Sequence, residues 1–104
     1  MIYFITDMTN IKIGYTKNDV YKRLKQLQTG CANNLYLLGW IDGDKTKEKE
    51  LHKKFANYKI RFNGEWFCPS IEVLDYINKN NLQKNTYVDI IDGKVMSFLS
   101  VSVI

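Results

Sequence analysis

Residues 2–30 read IYFITDMTNIKIGYTKNDVYKRLKQLQTG, and this stretch decides the fold. Ile2 to Thr6 and Ile11 to Tyr15 are short runs of β-branched and aromatic residues, separated by Asp7-Met8-Thr9-Asn10. Such runs favour strands and the polar tetrapeptide favours a turn, so an opening β-hairpin is expected. The pattern then changes period. Val20, Leu24 and Leu27 are spaced i, i+4 and i+7 after the capping candidates Thr16 and Asn18, which predicts an amphipathic helix ending at Gly30.

Working outward, Leu35 to Ile41 reads as a third strand. Asp44 can cap a second helix in which Leu51, Phe55 and Tyr58 repeat the helical spacing, ending near Asn57. A turn at Asn63-Gly64 leads into Trp66-Phe67. Ser70 caps a third helix with Ile71, Leu74 and Ile77 inward. Tyr87 to Ile91 and Val95 to Val103 flank Asp92-Gly93, a type I′ turn signal, and read as a last hairpin. The expected architecture is α+β in the α/β sense of mixed elements: residues 1–80 as one domain, with 81–104 as a C-terminal hairpin extension packed on it.

With 104 residues the chain forms a single modest core, and its composition argues against disorder. The formal net charge of +4, with bases gathered in Lys17 to Lys25, Lys45 to Lys54 and Lys59 to Arg61, suits a polyanionic partner but equally describes a solvated lysine-rich surface. No basic leader precedes a long apolar stretch, so a cytoplasmic protein without membrane contact is expected. Cys31 and Cys68 lack metal-ligand or disulfide-framework spacing and read as buried or half-buried free thiols.

Two charged residues sit oddly. At about 100° per residue, Glu48 shares a side of its helix with Leu51, His52 and Phe55, whereas Glu50 is rotated about 200° away and faces water. A carboxylate at the core edge needs a cation, a donor or a metal; a salt bridge to Lys45 or Lys49 would be the plain answer. Arg23 flanks the buried stripe of the first helix, where it either reaches a phosphate or covers the core with its stem. Tyr3 and Lys12 alternate with apolar neighbours on the hairpin and are expected to share one sheet face.

The hairpin pair Ile2-Tyr3-Phe4 and Lys12-Ile13-Gly14-Tyr15-Thr16 resembles the two name-giving motifs of the GIY-YIG nuclease superfamily. The later segments RLKQLQTG from Arg23, EKELHKKF from Glu48 and GEWF from Gly64 are similar to the small phage and large-DNA-virus branch, so the resemblance covers roughly residues 1–78. It implies a central three-stranded antiparallel sheet flanked by helices. It also implies an endonuclease that hydrolyses phosphodiester bonds, DNA being favoured, with one Mg²⁺ or Mn²⁺. Tyr3 then stands at the first-motif tyrosine as general base and Arg23 at the helix arginine that stabilises transition-state charge. Glu48 stands at the metal-binding glutamate, and His52 belongs to the branch pattern. Lys12 replaces the first tyrosine of the second motif, as in some restriction-enzyme members, and would favour the phenolate of Tyr3 by attraction. The late asparagine of the family has no clear equivalent, Asn57 and Asn63 lying nearest. Lys17, Lys22, Lys25, Lys53 and Arg61 are the expected nucleic-acid contacts, with weak sequence specificity, and a homodimer would allow both strands to be cut. The competing expectations are a binding module of the same fold that does not cleave, and a viral or mobile-element protein that inhibits a host protein through its apolar C-terminal segment.

Overall fold

A computed structural model describes residues 1–80 and 86–99. Strands β1 (Ile2–Thr6), β2 (Ile11–Tyr15), β3 (Tyr36–Ile41) and β4 (Trp66–Phe67) form one antiparallel sheet in the order β3-β1-β2-β4. The expected three-stranded core is therefore extended by a fourth, two-residue strand on β2. Helices α1 (Val20–Thr29), α2 (Lys45–Lys54) and α3 (Ile71–Asn80) alternate with the strands, and β5 (Thr86–Ile91) pairs with β6 (Lys94–Leu99) in a separate two-stranded sheet. The expected continuation of the last strand to Val103 lies outside the described residues.

The opening turn is held by side chains. Asp7 Oδ1 accepts from the amides of Thr9 and Asn10, while Thr6 Oγ1 accepts from Met8 N and donates to Asn10 O. At the last hairpin, Asp92 and Gly93 both have positive φ, 53° and 75°, as a type I′ turn requires.

Both faces of the sheet are covered, because every β1 residue is buried. One face carries Tyr3 and Ile5, packed with Val20, Leu24 and Leu27 of α1 and with Leu35 and Leu37. The other carries Ile2, Phe4, Ile11, Ile13 and Phe67 under Leu51 and Phe55 of α2 and Val73, Leu74 and Ile77 of α3. Val88 and Val95 join this second core, and the Asn78 carboxamide bonds both the N–H and the C=O of Val88.

Several local expectations need correction. Asp19, rather than Thr16 or Asn18, caps α1 by accepting from Tyr21 N, and Thr16 instead accepts from Asn18 N. Gly30 does end α1, but with φ −99° rather than a left-handed conformation. Helix α2 stops at Lys54, and a 3₁₀ turn at Ala56–Tyr58 follows. Ile71 is 75% exposed, because the helical stripe of α3 is centred on Val73, Leu74 and Ile77. Cys68 is exposed, being carried just past β4 at the sheet edge; Cys31 is half-buried. No described helix is long and apolar enough to cross a membrane.

Candidate nucleic-acid interface

The register of the opening hairpin puts Tyr3 opposite Gly14 and Ile5 opposite Lys12. Directly paired residues share a face, so Tyr3 and Lys12 lie on the same face as diagonal neighbours. Tyr3 is 1% exposed, and its hydroxyl makes no hydrogen bond to any described residue. Its ring crosses Gly14. Lys12 does not use its ammonium on Tyr3. It forms a 2.6 Å ion pair with Glu65, the residue before β4, and stands 5.7 Å from the centroid of Trp66. The reason is strand pairing: Trp66 is the β4 partner of Lys12, which brings the neighbouring Glu65 carboxylate within reach. The expected Lys12 assistance to the Tyr3 phenolate is replaced, in this arrangement, by a Lys12–Glu65 pair.

Helix α2 packs on the face of the sheet opposite Tyr3 and presents Glu48 and His52 near the Lys12–Glu65 pair. A His52 ring nitrogen, Nε2, lies 2.8 Å from the carbonyl of Ile13, so it must carry the hydrogen and donate; the ring also meets Phe67 edge-on. Ile13 N in turn donates to Glu65 O. His52 thus anchors α2 to β2, and Glu48 sits one helical turn earlier. Asp44 caps α2 by accepting from Lys47 N, which fixes where that turn begins.

The Glu48 carboxyl is held above the usual carboxylate range, first by burial and then by the negative charge of Glu65; His52, Lys12 and Lys45 pull the other way. Neither Lys45 nor Lys49 forms an ion pair with Glu48 among the described residues, whereas Glu50 faces solvent within reach of Lys47 at 3.9 Å. Glu48 lines a cleft of about 390 Å³ together with Lys49, His52, Lys53, Ala56, Lys59, Phe62 and Asn63. Three lysines around one carboxylate make this surface suitable for a phosphate backbone. A larger cleft, about 500 Å³ and mainly apolar, lies between α1, the β3 edge and Met96, but it contains none of the expected site residues.

Arg23 is half-exposed on α1, and its guanidinium donates to Gln26 at 3.3 Å. No described hydrogen bond or ion pair joins it to Tyr3, Lys12 or Glu48. Arg23 and Glu48 belong to helices on opposite faces of the sheet. Lys17, Lys22, Lys25, Lys53 and Arg61 are all exposed; Lys53 lines the Glu48 cleft, whereas Arg61 lines a second cleft with Trp66. Among the described residues no three His, Cys, Asp or Glu side chains are grouped so as to hold a metal. Glu65 is the site residue that the sequence reading missed. Its signal was Lys12 itself, a cation between Ile11 and Ile13 that had to find a counter-ion.

The family profile of the T5orf172 domain matches residues 1–81. The chain belongs to the T5orf172 domain family. This domain is found in phage and nuclease-like proteins. No curated protein and no solved structure is significantly similar to the chain. The T5orf172 match runs from β1 through α3, so it includes Tyr3, Lys12, Arg23, Glu48 and Glu65 and stops before β5.

Proposed function

We propose that this T5orf172 domain is a metal-dependent endonuclease of GIY-YIG type, acting on the phosphodiester backbone of nucleic acid, with DNA as the favoured substrate. The observation that carries the reading is Glu48: a half-buried carboxylate without an ion pair among the described residues, in a cleft lined by Lys49, Lys53 and Lys59.

A hydrated hard cation fits this donor set. Mg²⁺ is commonly held by one or two carboxylates, with water and phosphate oxygens completing the shell, and a bound cation would relieve the burial and the Glu65 repulsion that Glu48 bears. Zinc does not fit, since no three-residue ligand set is present among the described residues. Mg²⁺ or Mn²⁺ bound at Glu48 would supply charge stabilisation at a phosphate oxygen.

The remaining roles fall to the chain. Lysines of the cleft hold the backbone by its charge. Tyr3 has a hydroxyl without a hydrogen-bond partner among the described residues, so an incoming water would bond to it, and in its phenolate form it would take the proton of that attacking water. Arg23, whose helix covers the other face of the sheet, would have to leave its 3.3 Å bond to Gln26 and reach past the sheet edge to neutralise charge on the phosphate. Lys12 holds Glu65 in place beside Glu48.

The test is incubation of the protein with plasmid, single-stranded DNA and RNA in Mg²⁺, Mn²⁺ or a chelator. The wild type should cut only with the metal. Glu48→Ala should lose on the order of a hundredfold or more in rate, and Tyr3→Phe should be strongly impaired. Salt-sensitive binding without metal-dependent cutting would leave a nucleic-acid-binding module instead.

A further inference from the structure

The segment from Tyr58 to Cys68 leaves the core and returns as a narrow excursion. Lys59 bridges Phe67, Ile60 N donates to Trp66 O at 2.9 Å, and Gly64 N closes the tip on Arg61 O at 3.0 Å. Its residues divide between two clefts. Lys59, Phe62 and Asn63 line the Glu48 cleft, whereas Ile60, Arg61, Gly64 and Trp66 line another of about 450 Å³, closed on its far side by Asp7 and Asn10 of the opening turn. The second cleft has no role in the catalytic reading above.

Its lining is mixed in an informative way. Trp66 and Ile60 supply apolar surface, and Arg61 supplies a guanidinium without an ion pair among the described residues. The carboxamide of Asn10 makes no described hydrogen bond, since only the backbone of that residue is engaged. Asp7 uses Oδ1 to cap the amides of Thr9 and Asn10, which fixes the carboxylate and leaves Oδ2 to accept. A volume in this range is ordinary for a small-ligand site. A bare phosphate would suit Arg61 but not Asp7. A flat ring bearing N–H donors, linked to a phosphate, suits all of them: the ring beside Trp66, its polar edge against Asn10 and Asp7, and the phosphate on Arg61.

We propose that this cleft is a subsite for one unpaired nucleotide of the nucleic acid cut at Glu48. The inference rests on the nucleic-acid reading given above and adds a substrate preference to it. The polar edge of a base is free to meet Asn10 and Asp7 only when the base is out of its pair. Trp66 lies 5.7 Å from Lys12 Nζ, whose partner is Glu65, so the subsite adjoins the carboxylates on the other side of the excursion. A strand crossing the excursion would place one phosphate near Glu48 and a neighbouring base against Trp66. The preferred substrates are therefore single strands, flaps or bulges rather than uninterrupted duplex.

The experiment measures binding with a chelator present, so that cleavage plays no part. The chain has two tryptophans, and Trp40→Phe leaves Trp66 as the reporter. Three DNA hairpins, each closed by a non-nucleotide glycol linker so that the loop offers no base, are titrated: fully paired, with one unpaired nucleotide, and with an abasic residue at that position. The unpaired nucleotide should quench Trp66 and bind roughly 5- to 150-fold more tightly than the abasic form, the range expected for one stacked base. Asn10→Ala should reduce the advantage of the unpaired base. Arg61→Ala should weaken the unpaired and abasic hairpins by a similar factor and the fully paired one least. Equal affinities for the three hairpins, or tighter binding of the unpaired one without Trp66 quenching, overturns the subsite while leaving the nuclease reading in place. Binding to none of them overturns the subsite together with the nucleic-acid reading, whereas absence of metal-dependent cleavage in the separate assay strikes only the enzyme.

Discussion

The ring of Tyr3 occupies the space that a side chain at Gly14 would need. A Cβ added to Gly14 would collide with Cζ, Oη and Cε1 of its cross-strand partner. Gly14 has no positive φ, so packing rather than backbone conformation calls for glycine. The pair links the two strands whose residues carry the nuclease resemblance, and it makes the position of the Tyr3 hydroxyl depend on an absent side chain opposite.

Gly14→Ala should therefore act on Tyr3. Forcing one methyl into this packed contact should cost about 1–3 kcal/mol, read as a lower urea midpoint. In a Tyr3→Ala background the same substitution should cost much less, giving a coupling of about 0.5–3 kcal/mol in the double-mutant cycle. Additive effects would show that the clash is relieved elsewhere. Tyr3→Phe should not rescue, because Cζ and Cε1 remain in the way.

The Lys12–Glu65 pair is asymmetric: the side chains are 12% and 39% exposed, respectively. Glu65→Gln leaves the less exposed charge without its counter-ion, and a loss of about 1–2 kcal/mol is expected. Lys12→Met leaves a carboxylate that water can reach, so its cost should stay below about 1 kcal/mol. Urea denaturation of both variants in low and high salt checks the order; a larger loss for Lys12→Met would reverse the assignment of which charge depends on the pair.

Local periodicity made most elements legible, and long-range pairing accounts for what it missed. Val20, Leu24 and Leu27 announced α1, and the Asp92-Gly93 turn announced the last hairpin. The half-burial of Glu48 at the core edge was legible, because 3.6-residue geometry separates it from the exposed Glu50 without any tertiary information. The Lys12–Glu65 pair was hidden, since it depends on a two-residue strand joining β2 from more than fifty positions away. Ile71 was misplaced for a simpler reason: a helix begun at Ser70 fits a stripe starting at 71 or at 73, and only the packing of α3 on the core, where its Tyr76 meets Phe4 and Phe55, selects the second.

The raised pKa of Glu48 gives a pH dependence of definite sign. A carboxyl with a folded value above its ordinary 4.5 contributes stability that is complete below that value and is lost as pH rises through the raised one. Glu48→Gln cannot titrate. The stability of this variant relative to wild type should therefore increase from acid to neutral pH, by about 1 kcal/mol or less once solvent screening is allowed for. If Glu48 holds the metal, millimolar Mg²⁺ should raise the melting temperature of the wild type more than that of Glu48→Gln. A pH-independent difference between the two proteins would mean that Glu48 is not desolvated.

Asn78 ties the last hairpin to the domain. Its carboxamide donates to Val88 O at 2.9 Å and accepts from Val88 N at 2.6 Å, while Val95 N donates to Met8 O at 2.7 Å. Val88 and Val95 are 3% and 0% exposed, so this end of the hairpin faces the chain's own core. Asn78→Ala removes both side-chain bonds and should cost about 1–3 kcal/mol, since the Val88 groups lie away from water. Asn78→Asp should cost more at neutral pH: it can still accept from Val88 N, but it sets a carboxylate against the Val88 carbonyl. Hydrogen exchange at the Val88 and Val95 amides should quicken in both variants, more in Asp than in Ala, while exchange in β1 and β2 changes only as far as global stability falls. Equal protection in wild type and Asn78→Ala would mean that the two buried valines hold the hairpin without the amide.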